Sequence, residues 1–435
     1  MGFLGLGEPS WGTLIIFLGA WINRDFTTPT TQTSQNSYVD LVEDVGHEMG
    51  LESLDLIDTG DVSVTPLPNP DRQRHWRHRE LSVFGLKRTI RTPDTAVFRN
   101  RMLSRVLLRF PFLVEIIYWA LIYGVYQFGR GQLAIRLVDK TIDIACHHAL
   151  AVIRLEQRLH IFWELTIQQF FLQYPGWMWW INRIYSFVHL PATITFLVSL
   201  YYFAITRNRS NINSNSPDRV RSSTGPELYE SRRRALALCN LFAFCVFSSW
   251  PCMPPRLLGD SKLPGEMGEL ARSFGFIDTI HARDGAVSAF NTRKWTNQLA
   301  AMPSLHFGYS LLVGVSIMRL PLNPPARRHR VCLPAVPFLK SNHTGFIVRA
   351  PSLPKLCCEI VGFLYPFSIL IAIVATANHF ILDALVGGVI CLFALRYNHF
   401  MKNFLPVEDY VFWCLRIHKP NQEPPVQSAH LEDKP

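Results

Sequence analysis

Apolar and polar residues fall in long blocks along this 435-residue chain. Six blocks are long or apolar enough for membrane spans, since about 20 residues cross the hydrocarbon layer. They lie roughly at 107–128, 185–206, 235–253, 304–319, 357–377 and 381–397. The fourth and sixth are short and polar at one end, which suits helices that open into a polar cavity. The pattern predicts an all-α fold, a polytopic membrane bundle of about six spans.

The stretch between the first two spans, 130–184, is not an ordinary loop. Leu150, Ile153, Leu155, Leu159 and Phe162 recur at helical spacing, and Trp177, Trp179 and Trp180 cluster beyond them. Amphipathic helices lying at the membrane interface are expected. Glu156, Glu164 and Gln168 recur about every four residues, hence on one helical face. A solvated face is the favoured reading of the three, ahead of a grip on substrate.

Before the first span, residues from about 25 to 100 are polar and rich in Thr, Asp and Pro, then turn basic, a composition that does not bury a core. The expected layout is a flexible, basic arm over 1–100, a membrane domain over 101–400 with its catalytic core at 185–397, and a cytoplasmic tail over 401–435. Trp11 to Ile22 is a short apolar run without a basic flank or a small-residue cleavage site, so an interfacial anchor is expected there and not a cleaved signal peptide. The nine cysteines form no CxxC pair. Cys245, Cys252, Cys357, Cys358 and Cys391 lie in or beside apolar stretches and read as buried structural thiols.

Charge adds direction. The formal net charge is +10, and no helix-turn-helix, zinc-finger or aromatic RNA-binding pattern accompanies it. A lipid bilayer, not nucleic acid, is therefore the expected partner. The 207–234 and 319–355 loops carry seven Lys or Arg each, while the longer 130–184 and 254–303 loops carry six each. Positive-inside bias puts both chain ends and the two denser loops in the cytoplasm, and the other two on the lumenal face. The sequons at Asn208 and Asn342 then fall on the cytoplasmic side and should stay unglycosylated.

With that topology, two motifs reach the same, non-cytoplasmic face. Ala301 to Ser310 contains Pro303-Ser304-Leu305-His306 at the start of the fourth span, and Asn378 to Asp383 joins the fifth to the sixth. His379 and Asp383 are four apart, so on a helix they share a face. A carboxylate holding one imidazole nitrogen leaves the other free to attack phosphorus, and His306 from another helix can protonate the departing oxygen. Arg256, in the Pro-rich corner Trp250 to Arg256, offers a planar guanidinium for phosphate oxygens. Ser304 adds a hydroxyl, with free N–H groups of the helix start facing the anion. The same two histidines and aspartate could alternatively form a two-His-one-carboxylate metal set. The triad reading is preferred, with no metal and no cofactor. Other histidines, among them His147, His148, His160, His281, His329 and His399, read as structural or surface residues.

These residues resemble the type-2 phosphatidic acid phosphatase superfamily, and within it the branch of the fungal inositol phosphorylceramide synthases. The likeness runs from about residue 101 to 397 and rests on Pro254 to Leu257, Pro303 to His306 and His379 to Asp383, in that order. Gly275 to Thr279, and Asn182 to Tyr185 with His189, are also similar to that branch. The N-terminal arm and the 323–355 loop look like additions. The resemblance implies a phosphohistidine on His379, with His306 as general acid and Asp383 as orienting partner. It implies a lipid phosphate or phospho-head-group substrate and a lumen-facing site in the endomembrane system, in the Golgi or endoplasmic reticulum. Ile373 stands six positions before the nucleophile, and Ser249 seven before the corner arginine, where the family's lipid phosphatases carry an arginine and a lysine. Less positive charge would surround the phosphate, which shifts the expected chemistry from phosphatidate hydrolysis toward head-group transfer. A non-catalytic lipid transporter on the same scaffold is the alternative from another class.

Overall fold

The apolar blocks fold as helices in the computed structural model, whose described residues are 11–25, 76–83, 85–136, 139–207, 225–261, 263–280, 299–322, 329–332, 347–350 and 352–419. In chain order the helices are α1 (Trp11–Ile22), α2 (Met102–Arg109), α3 (Phe112–Arg136), α4 (Asp139–Arg158), α5 (Glu164–Leu172), α6 (Pro175–Arg183) and α7 (His189–Tyr201). They continue as α8 (Pro226–Ser249), α9 (Pro255–Leu258), α10 (Gly265–Ser273), α11 (Leu305–Met318), α12 (Leu353–Ala375), α13 (Ile381–Tyr397) and α14 (Leu405–Leu415). Two π-helical turns, Ile184–Val188 and Tyr202–Thr206, carry α6 through α7 without a break.

Among the described residues, four stretches are long and apolar enough to cross a bilayer: Phe112–Gly129, Pro175–Thr206, Leu353–Ala375 and Ile381–Leu415. They mark an integral membrane protein. The block read at 304–319 is the shorter apolar helix α11, and the block at 235–253 falls in α8, whose first half carries Glu227, Glu230 and Arg232 to Arg234. Both sequons lie outside the described residues.

Small departures from an all-α fold are two antiparallel hairpins: β1 (Trp76–Val83) with β2 (Leu86–Pro93), and β3 (His329–Cys332) with β4 (Ile347–Ala350). The first overturns the reading of 76–93 as flexible arm. Gly85, at φ +85°, closes its turn, a conformation that costs glycine little. What orders it is distant in sequence. Arg79 bonds both oxygens of Asp409 on α14, at 2.8 and 3.0 Å, and the Thr92 hydroxyl donates to the same carboxylate at 2.8 Å. Asn403 exchanges side-chain bonds with the Ser82 backbone, and His418 N donates to Ser104 Oγ at 2.9 Å. The residues read as a tail thus include a helix, and Asn23–Val114 with Asn403–Asn421 forms one compact unit.

The other unit is formed by the described residues of 11–22 and 115–402. Within it α11 packs closely on α12 and α13. Glycines permit the approach: a Cβ on Gly314 would lie 2.2 Å from the Gly362 carbonyl oxygen, and one on Gly387 2.2 Å from that of Ser304. Small residues bring backbones together where lipid supplies no hydrophobic drive between helices. At the other end of the bundle, Glu115 of α3 accepts from Arg233 at 2.8 Å and Tyr229 at 3.0 Å on α8, so this buried carboxylate has a cation.

The 130–184 segment is helical as expected, but its polar face turns inward. Glu156, Glu164 and Gln168 are each 0% exposed, while Leu155, Leu159, Trp177 and Trp180 face outward. The helix breaks between Arg158 and Glu164, so the two glutamates sit on different helices. The cysteine reading also needs correction: Cys252 and Cys391 are buried, Cys358 is half-buried, and Cys245 and Cys357 are exposed. In a membrane bundle an apolar stretch has an outward face that meets lipid, so apolar context does not imply burial in protein.

Candidate active site

The site is built where the turn between α12 and α13 meets the Pro-rich corner after α8 and the segment before α11. Backbone pairing sets the corner: Cys252 N donates to Leu299 O at 2.9 Å, and Ala301 N to Cys252 O at 3.0 Å. Arg256 N donates to Ala377 O at 2.8 Å, and Ser304 N to Asp383 O at 3.0 Å. Ala145, Leu150, Ile153, Cys252, Met253 and Phe380 share the apolar cluster behind these bonds. Ala377, with φ +51°, holds a left-handed conformation that costs a non-glycine residue roughly 1–2 kcal/mol. It lies two residues before His379, where stored strain often accompanies function.

All five residues singled out from the sequence gather here. The rings of His306 and His379 have centroids 5.6 Å apart. His379 is 6% exposed and Asp383 is 0% exposed. The Nδ1 of His379 lies 2.7 Å from Ala301 O and 3.6 Å from Asp383 Oδ2. A carbonyl oxygen only accepts, so Nδ1 carries the hydrogen, and in the neutral ring Nε2 holds the lone pair. The orienting partner is thus the Ala301 carbonyl. Asp383 stands farther from Nδ1, and its Oδ2 accepts from Phe380 N at 2.9 Å.

Arg256 is buried beside this turn. Its Nε donates to Asn378 Oδ1 at 2.9 Å and its Nη1 to Asp278 Oδ2 at 3.0 Å. Asp278 is positioned in turn by a clasp on its neighbours. Gln168 exchanges two bonds with the backbone of Ile277, and Asn182 approaches Thr279 at 3.4 and 3.3 Å. Ser304 caps α11, its Oγ accepting from Phe307 N at 3.4 Å. The hydroxyl therefore serves its own helix start, where free N–H groups facing an anion were expected.

Sequence reasoning left several participants without a role. Tyr185, on the first π-helical turn, has its ring 4.7 Å from that of His306, and the His189 ring lies 5.3 Å from it. His189 Nδ1 is 3.1 Å from the Tyr365 hydroxyl. A π turn inside an otherwise regular helix is a frequent mark of a functional position, but it has no simple sequence signature. Glu156 and Glu164 were visible as polar residues at helical spacing; nothing in that spacing tells burial from solvation. Burial pushes the Glu156 carboxyl up to about 9, with Glu164 as the next cause, and burial also raises Glu164. Among the described residues, no three His, Cys, Asp or Glu side chains converge in metal-binding geometry.

The geometry joins an imidazole with a fixed tautomer, a second imidazole, a carboxylate and a guanidinium, a set suited to phosphoryl chemistry. The family model described as the PAP2 superfamily matches residues 150–215 and 222–340. That match supports the type-2 phosphatidic acid phosphatase superfamily. The PAP2 region takes in Glu156, Glu164, His189, Arg256 and His306 and ends before His379. No curated protein and no solved structure matches the chain.

Proposed function

We propose that this protein is a membrane-embedded lipid phosphatase or phosphotransferase that works through a phosphohistidine on His379. The observation that carries the reading is the pair of imidazoles with ring centroids 5.6 Å apart, one of them with Nδ1 committed to a backbone carbonyl. The PAP2 likeness supports the same class of reaction.

The Nε2 lone pair of His379 forms the N–P bond while the bond from phosphorus to the leaving oxygen breaks. His306 gives that oxygen its proton. Asp383 stabilises the positive charge that builds on the His379 ring, and Arg256 the negative charge on the phosphate oxygens. In the second half His306 takes a proton from the acceptor, whose oxygen attacks phosphorus as the N–P bond breaks. Water as acceptor gives hydrolysis; a hydroxyl lipid gives transfer. Ile373 and Ser249 stand where the lipid phosphatases of the resembled family carry two cations, which favours a phosphodiester over a doubly charged monoester and an inositolphosphotransferase-like reaction. The accompanying topology has about six spans, with the site facing the lumen of an endomembrane compartment.

The test is a lipid panel incubated with the full chain in detergent. It pairs phosphatidate alone with phosphatidylinositol plus ceramide, and products are read as free phosphate or transferred head group. Turnover that survives EDTA and disappears in His379→Ala is the expected result. Turnover that persists in His379→Ala overturns the reading, and loss with EDTA moves it to a metal-dependent hydrolase.

A further inference from the structure

Three consecutive backbone N–H groups open α13, and each ends on a different buried carboxylate. Phe380 N donates to Asp383 Oδ2 at 2.9 Å, Ile381 N to Glu164 Oε1 at 2.8 Å and Leu382 N to Glu156 Oε1 at 2.9 Å. Asp383 belongs to the helix it caps. The glutamates arrive from α5 and α4, more than two hundred residues earlier in the chain. All three side chains are 0% exposed. Glu156 Oε2, Glu164 Oε2 and Asp383 Oδ1 are buried and receive no amide, hydroxyl or cationic donor among the described residues. A helix N-terminus favours negative charge, but three adjacent carboxylates out of water repel one another far more strongly than its partial charge attracts them. Two carboxyls in contact relieve this by keeping one proton between them.

We propose that Glu156 and Glu164 are positioning residues for His379: a carboxyl–carboxylate pair with one shared proton that clamps the first turn of α13 and so holds the nucleophile's ring against the Ala301 carbonyl. The proposal rests on the phosphohistidine reading above. Clamping from two other helices fixes the turn where its own helix ends. Sharing the proton limits the negative charge beneath a site that must admit a phosphate. The raised carboxyl of Glu156 agrees with this, because its hydrogen bond with Glu164 raises Glu156 and lowers Glu164. Burial raises both carboxyls, so the pair keeps a proton; the proposal places it on Glu156 and the charge on Glu164.

That assignment makes the two positions unequal, which gives the test. An amide at 156 reproduces a neutral donor, whereas an amide at 164 removes the anionic acceptor. kcat and KM are measured for the full chain in detergent on whichever panel lipid the wild type turns over. Orthovanadate binding, followed as a thermal shift, reports the nucleophile's placement without turnover, since vanadate adopts the five-coordinate geometry of phosphoryl transfer. Glu164→Gln should lower kcat and vanadate affinity about tenfold at unchanged KM, the loss of one charge-assisted hydrogen bond. Glu156→Gln should cost only about threefold, and Glu156→Leu, which leaves Leu382 N unpaired, about a hundredfold. Equal effects of the two Gln variants, or effects confined to KM, overturn the proposal; that comparison decides even where Glu156→Leu does not fold. If His379→Ala still turns over lipid and binds vanadate, the phosphohistidine reading fails and takes the proposal with it. If His379→Ala is inactive while both Gln variants match the wild type, the proposal alone fails.

Discussion

Two buried carboxylate sites in this chain are satisfied in opposite ways. Asp409 accepts from Arg79 on both oxygens and from Thr92 on one, so its charge meets a cation and its lone pairs meet donors. At the start of α13, Asp383, Glu156 and Glu164 each give one oxygen to a backbone N–H, and the other oxygen receives no amide, hydroxyl or cationic donor among the described residues. No cation takes part in those bonds. The first arrangement is what a fold uses to tie distant segments together. The second is costly to the fold, and it lies directly beside the imidazole proposed to attack phosphorus. A buried carboxyl cluster without a cation persists where something other than stability selects it, and the contrast between the two sites can be pressed experimentally.

The largest effect is expected at Asp383. Where a carboxylate alone fixes the tautomer of a catalytic imidazole, an Asp to Asn change costs about four orders of magnitude in kcat. Here the Ala301 carbonyl holds Nδ1, so Asp383→Asn removes charge but not the tautomer, and a loss of about a hundredfold is expected by steady-state kinetics. A loss of four orders would mean that Asp383 bonds the ring directly during turnover.

Arg79→Ala is the converse experiment. It strands the Asp409 carboxylate and should destabilise the hairpin unit by about 2 kcal/mol, since hydrogen bonds to charged groups carry about that much. Limited proteolysis between residues 76 and 93 reads this directly. kcat on the panel lipid should not change. A fall in kcat would show that the hairpin unit acts on the chemistry.

The remaining effect concerns pH. The Glu156 carboxyl is raised to about 9 in the folded chain from an ordinary value of 4.5, so above pH 4.5 the unfolded chain loses a proton that the native state retains. Stability from this group therefore falls as pH rises from 4.5 towards 9. Glu156→Gln removes the dependence. Its melting temperature in detergent should gain on the wild type steadily across that window, and a constant difference would place the proton elsewhere.

The helices were largely legible in the sequence, because a membrane span is a long uninterrupted signal. α3, α12 and α13 stand where apolar blocks end at polar residues. The grouping of His306, His379, Asp383, Arg256 and Ser304 was legible in two short motifs, the Pro-rich corner and the charge count of the loops. What escaped was carried by contacts without a local trace. The hairpin depends on Asp409, 330 residues from Arg79, and its own strands read only as basic. The partner of His379 is a backbone carbonyl, and any residue type supplies one. The burial of Glu156 and Glu164 depends on where α13 begins, which the spacing of polar residues on α4 and α5 does not encode.

The central claim is a covalent bond between His379 and phosphorus. The direct measurement is to incubate the full chain with a lipid substrate radiolabelled in its phosphate, quench within a turnover, and map the label by peptide. Acid-labile, alkali-stable label on the peptide bearing His379, absent from His379→Ala and accumulating in His306→Ala if acceptor activation slows most, is the expected result. Lipid turnover without any label on that peptide, or label on another residue, would contradict it.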